Sequence, residues 1–166
     1  MERQAFSPRR CHDKGGVMKN IFIMVTVLLV SFPVLADSNG LITRLSKNSV
    51  TETINKLEAV LKKKGITIAL RWSHSRKAAA AGIKLRPTEL LIFGNPKLGS
   101  HMFTSKQTSG IDLPMKALAW EDEKGQVWLT YNDPAYLANR HGIKDRAKIV
   151  KKMTGALKKF TDIATR

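Results

Sequence analysis

The chain has 166 residues, of which 43% are hydrophobic and 25% charged, with a formal net charge of +16 and a single cysteine. That hydrophobic share excludes an intrinsically disordered chain, and one cysteine excludes a disulfide-stapled scaffold. The length is that of one domain, and the charge favours anionic partners without naming one.

Residues 18–36 follow the secretory signal pattern. Lys19 gives a short positive start, Ile21 to Val30 form an apolar run broken only by Thr26, and Val34 and Ala36 put small residues at −3 and −1 of a cut between Ala36 and Asp37. The run is shorter than the roughly 20 residues a membrane-spanning helix needs. Residues 1–17 are polar and do not fit a signal, whereas Met18 begins a complete one, so residues 1–17 are expected to be a mis-assigned upstream start. The mature domain is then 37–166, with a core over 40–160, in the periplasm or secreted, and its membrane contact is limited to the signal before cleavage. Residues 37–166 hold 24 basic and 11 acidic side chains, a net of +13, and no cysteine, because Cys11 lies upstream.

Gly40 to Ser46 reads as a first strand. Ser49 and Glu52 match a capping box, and Val50, Ile54, Leu57 and Leu61 make one apolar helical stripe that ends in Lys62–Lys64 and Gly65. Ile66, Ile68, Leu70 and Trp72 alternate as a half-buried strand. Ser75 to Ala81 reads as a short helix, Arg86-Pro87 as a break, and Glu89 to Phe93 as an interior strand. Gly94 to Ser100 is rich in turn residues, with a short helix expected over His101 to Lys106. Leu113 to Glu121 and Gln126 to Tyr131 form a hairpin around Asp122–Gly125. Asp133-Pro134 starts a helix that stops at Gly142, and the last helix covers roughly Lys144 to Thr165, with Ile149, Met153, Leu157 and Phe160 on its apolar side. This order predicts an α+β domain: a mixed sheet of about five strands with helices packed on it, the C-terminal helix closing the core.

The Gly94–Ser100 loop, with Asn95 and Lys97, is a candidate anion site, although the spacing of a phosphate-binding P-loop is absent and an ordinary turn explains it more simply. His74, His101 and His141 show no metal-ligand spacing, and no metal or cofactor is assigned. Asp112, Glu121 and Asp133 are the carboxylates from which an acid–base pair would be drawn, while Asp133 also reads as a helix cap. Trp120 and Trp128 fall on opposite arms of the hairpin, where cross-strand packing is the simplest reading, and with Lys116 and Arg140 nearby they would also suit a pocket for a planar or anionic ligand.

Three stretches resemble the signatures of the domain-of-unknown-function family 302: Leu91 to Lys97 (LIFGNPK), Ile111 to Asp122 (IDLPMKALAWED), and Val127 to Ala138 (VWLTYNDPAYLA) followed by Arg140-His141-Gly142. Ser73-His74 before the alanine-rich segment also fits. The likeness runs from about Gly40 to Phe160. It implies a compact α+β domain able to form a homodimer, and it implies no activity, cofactor or catalytic residue. The family pattern often has Pro-Leu-Met where this chain has His101-Met102-Phe103, a departure that bears on ligand choice if this stretch lines a site.

Three functional readings follow. The first is an exported small-ligand binding or accessory module, its candidate residues being His74, Asn95, Lys97, Asp112, Lys116, Trp120, Asp133 and His141, and its ligand a small anion. The second is an enzyme pairing Asp112 or Asp133 with His74 or His141. The third is a basic envelope protein that binds anionic polymers or lipids. Nucleic acid is not an expected partner of an exported domain.

Overall fold

Residues 39–166 are described by the computed structural model; the expected signal segment, its Ala36–Asp37 cleavage site and the Met18 start lie outside the described residues. In chain order the elements are β1 (Leu41–Ser46), α1 (Val50–Lys63), β2 (Thr67–Ser73), α2 (His74–Ala80), β3 (Thr88–Gly94), α3 (Pro96–Ser105), a 3-10 turn (Gln107–Ile111), β4 (Met115–Glu121), β5 (Val127–Asn132), α4 (Pro134–Arg140) and α5 (Ala147–Ala164).

The five strands form one sheet in the order β1-β5-β4-β3-β2. The α+β class, the five strands and the closing C-terminal helix are as expected, but the sheet is antiparallel at every step and not mixed. The reason lies in the β1–α1–β2 crossover. It does give two strands of the same direction, yet it carries the chain from one sheet edge to the other, and β5, β4 and β3 fill the gap.

Helix α1 forms for local reasons before it packs. The Ser49 hydroxyl accepts from the Glu52 amide at 3.2 Å, while the Glu52 carboxylate pairs forward with Lys56. Its stripe of Ile54, Leu57 and Leu61 is fully buried against the sheet face that carries Leu91, Ala119 and Leu129. Each such side chain contributes about 1.5–3 kcal/mol through burial. Helix α5 lies beside α1, and its end is tied to the start of α1: Lys47 donates its amide to Thr165 at 2.9 Å, and Asn48 donates its side-chain amide to Ala164 at 3.1 Å. The two helices are therefore antiparallel. Gly40, at φ 78°, fits under the ring of Tyr136, where a Cβ would lie 2.1 Å from a ring carbon, so no other residue joins the N-terminal segment to α4 at this point.

Two local expectations change. Ile68 and Leu70 do not share a face, because a bulge shifts the β2–β3 register between them: Ile68 pairs with Phe93 and Leu70 with the adjacent Ile92. Ile68 joins the core, whereas Leu70 and Trp72 turn to the other face and remain 44% and 39% exposed. Helix α3 also begins at Pro96 rather than His101, since Asn95 caps it and proline occupies the first turn.

Candidate functional site

The sheet sorts the eight candidate residues by its two ends. Thr67 pairs with Gly94 at one end of the β2–β3 ladder and Ser73 with Glu89 at the other. Asn95 and Lys97 follow Gly94, and His74 follows Ser73, so His74 stands roughly 20 Å from the Asn95 loop at strand rise. The convergence expected between them does not occur. Trp120 also goes elsewhere. It pairs across the hairpin with Trp128, stacks on it at 6.4 Å between ring centres, and donates its indole N–H to Thr130 at 2.9 Å. Trp128 donates to the Asp122 carboxylate at 2.8 Å. That bond, with the Gln126 and Lys124 amides, holds the Asp122 carboxyl below its usual range. These tryptophans brace the hairpin.

Asn95, Lys97, Asp112, Lys116, Asp133 and His141 belong to the same end of the sheet, and three of them meet there. His141 Nε2 lies 2.7 Å from Asp112 Oδ2, and Lys116 donates to the Asp112 carbonyl at 3.1 Å. Arg140 approaches the other Asp112 oxygen at 3.4 Å, and Thr108 Oγ1 lies 3.3 Å from His141 Nδ1. A carboxylate only accepts, so Nε2 carries a proton and donates to Asp112, while Nδ1 shares a hydrogen bond with the Thr108 hydroxyl. Both ring nitrogens are thereby occupied within the fold, and the end of α4 is pinned to the 3-10 turn. The Asp133 carboxylate accepts from the Ala135 amide at 2.9 Å, which makes it the cap of α4. Among the described residues no group of three or more His, Cys, Asp or Glu side chains converges as a metal site would require.

The Asn95 loop is not an anion cradle. The Asn95 side chain accepts from the Lys97 amide at 2.9 Å, its carbonyl accepts from the amides of Leu98 and Gly99, and Pro96 has no N–H. Every first-turn donor of α3 is engaged by the cap.

Beside this loop lies a half-open cavity of about 290 Å³ between α1, α3, α5 and one end of the sheet. Leu61 and Ile66 wall it from the end of α1, Phe93 and Met115 from the sheet, and Leu98 and Phe103 from α3. Helix α5 adds Met153, Ala156, Leu157 and Phe160, spaced by three, one and three on one side of the helix. Thr67, Asn95 and Ser100 bring the side-chain polar atoms, and no charged side chain lines it among the described residues. Gly94 matters here: a Cβ would sit 3.3 Å from Pro114, so the glycine lets β3 end against the Leu113-Pro114 wall. Of the eight candidates only Asn95 touches the cavity. Sequence reasoning missed Leu98 and Thr108, while Phe103 and Arg140 were singled out without a place for them. For Leu98 the signal was there, in a helix that reads as a loop until the Asn95-Pro96 cap is recognised.

The fold and this end-of-sheet cavity define a class: an open antiparallel sheet backed by two long helices, with an apolar chamber beneath a capped third helix. The chain belongs to the family described as domain of unknown function DUF302, whose profile matches residues 42–160. It is similar to a crystal structure of an uncharacterized conserved DUF302 protein from Bacillus stearothermophilus, with a TM-score of 0.69 at 21% identity over 76% of this chain and 98% of that one, a likeness of fold. It is also 48% identical over 118 residues, 70% of its length, to proteins named fluoride-specific ion channel FluC 1 from Brucella suis and FluC 2 from Brucella melitensis. The matched part is 46% and 44% of those proteins, so the chain spans less than half the length of the curated relatives it matches.

Proposed function

We propose that this is an exported accessory domain that binds a small, largely apolar ligand in the cavity beneath α3. The observation that carries the reading is the cavity itself. Ligand sites are concave, mostly apolar and few per protein, and this half-open pocket of about 290 Å³, bounded by leucine, methionine and phenylalanine, has that form. The signal pattern of residues 18–36 supports export. The chain's departure from the family pattern at Phe103 falls on the cavity wall, where it would tune the choice of ligand. No described helix is long and apolar enough to cross a membrane. In this reading ion conduction in the Brucella relatives belongs to the half of their length beyond the match, and the shared domain serves it as a ligand-responsive accessory.

A thermal-shift titration with decanol tests the proposal. A ligand at about 100 times its dissociation constant stabilises by roughly 2.7 kcal/mol, so the midpoint rises by several degrees. Ala156→Phe, which puts a ring into the cavity, should abolish the rise without lowering the starting midpoint. No rise in the unaltered protein would refute the proposal.

A second reading, acid–base catalysis, is favoured by the Thr108–His141–Asp112 relay. It ranks second because those contacts already satisfy the imidazole. Turnover of a nitrophenyl ester that falls about 100-fold or more in His141→Gln would promote it.

We also propose that two copies associate through the sheet face turned away from α1. This face carries Leu45, Leu70 and Trp72 at 39–44% exposure beside Trp120 and Trp128. Five strands about 4.8 Å apart and about 20 Å long give a face of the same order as the ~800 Å² per partner of a standard interface. Trp72→Asp should convert a dimer to a monomer in sedimentation. A monomer before substitution would end the idea.

A further inference from the structure

The charges around the cavity say what kind of apolar molecule it takes. Cations stand beside three of its walls, and among the described residues no carboxylate lines it. Lys64 follows Leu61 by three residues, on the same side of α1 and one turn nearer solvent. Lys97 lies between Pro96 and Leu98, both of which line the cavity. On α5, at 100° per residue, Lys152 and Lys159 border the Met153–Phe160 wall on one flank, while Val150 and Thr154 on the other flank adjoin α4. All four lysines are exposed. None takes part in the ion pairs or side-chain hydrogen bonds of the described residues, unlike Lys62, which is held by Glu58, and Lys158, held by Asp162.

The sheet end therefore presents an apolar chamber with free ammonium groups at its border and no competing acid within it. The first-turn backbone amides of α3 are engaged by Asn95, so an anion would be met by lysine side chains. A cavity of about 290 Å³ lies at the small end of ligand pockets, which suits a single alkyl chain.

We infer that the ligand is a single-chain anionic amphiphile, its alkyl chain in the cavity and its carboxylate or phosphate head at Lys64, Lys97, Lys152 and Lys159. This rests on the cavity reading above and specifies its ligand class. An ammonium stem packs along apolar surface while its head stays in water, which suits it to a head group at the mouth of an apolar pocket.

The test is calorimetry on the protein with decanoate, decyl phosphate, decanol and decylammonium, each below its critical micelle concentration. The anions should bind at least about tenfold more tightly than decanol, the effect of one charge-assisted contact, with decylammonium weakest. High salt should narrow the gap, and so should the fourfold variant Lys64→Gln, Lys97→Gln, Lys152→Gln, Lys159→Gln, while decanol binding stays as it was. The preference between decanoate and decyl phosphate identifies the head group. Decanol binding as tightly as the anions would overturn this inference and leave the cavity proposal standing. Binding by none of the four probes would overturn both.

Discussion

The polar cluster and the cavity lie on either side of one short segment, Asp112-Leu113-Pro114, and they differ in what they leave unfinished. On the Asp112 side the carboxylate meets His141 and Arg140, Lys116 donates to the Asp112 carbonyl, and Thr108 meets the other His141 nitrogen, each contact 3.4 Å or shorter. On the Leu113-Pro114 side the walls are apolar and form a half-open recess. The polar side looks like chemistry in the sequence, yet it holds α4 in place. The apolar side looks like ordinary core and has room for a ligand. Residue types that react are weak evidence of a site when their partners are internal, whereas a mostly apolar recess is the usual form of a ligand site.

The largest expected effect sharpens this contrast on the cavity side. Leu157 is 4% exposed and walls the chamber, so Leu157→Ala should cost about 2–5 kcal/mol in denaturant unfolding. The same variant enlarges the chamber and should shift the preferred chain length upward, which a series of alkanols would read. A loss of stability with no change in chain-length preference would say that the void is not the binding site.

Asp112→Ala is the matching test on the polar side. It leaves the His141 imidazole, whose side chain is only 8% exposed, without its carboxylate, at an expected cost of about 1–3 kcal/mol. Decanol binding should be unchanged. If binding collapses while the fold is retained, the two regions are one site and the comparison fails.

The smallest effect concerns Asp122, remote from both. Its carboxyl is held below the usual range by the Trp128 indole N–H, then by the Gln126 and Lys124 amides. Because the folded value is depressed, the stability it contributes is fully present above the ordinary carboxylate range and is lost as pH falls through the folded value. Asp122→Asn should therefore unfold more easily than the unaltered protein at neutral pH, and the difference should shrink on acidification. A difference that is constant with pH would mean that the carboxylate's charge plays no part in the hairpin.

Much of the fold was legible in the sequence because the signals were local. Ser49 capping α1, Asp133-Pro134 opening α4 and the Asp122–Gly125 turn each depend on residues within a few positions of one another. Asn95-Pro96 carries the same signature as Asp133-Pro134, but glycines on both sides of it read as a loop, and α3 was placed five residues too late. The bulge beside Ala69 was not legible, since it is set by pairing with β3 and no residue of β2 marks it. The wholly antiparallel order likewise depends on which strands fill the gap left by the β1–α1–β2 crossover. The site was the least legible part. Asp112 and His141 are 29 residues apart and were candidates by type alone. The cavity is a space between six elements, and no local residue pattern encodes such a space.

The most direct test of the account follows the methyl groups by NMR as decanoate is added to the protein. The account predicts saturable shifts at Leu61, Leu98, Met115, Met153 and Leu157, which wall the cavity, and still resonances at Leu45, Leu70 and Leu118 across the sheet. Shifts confined to Leu45, Leu70 and Leu118, or no saturable shift anywhere, would contradict it.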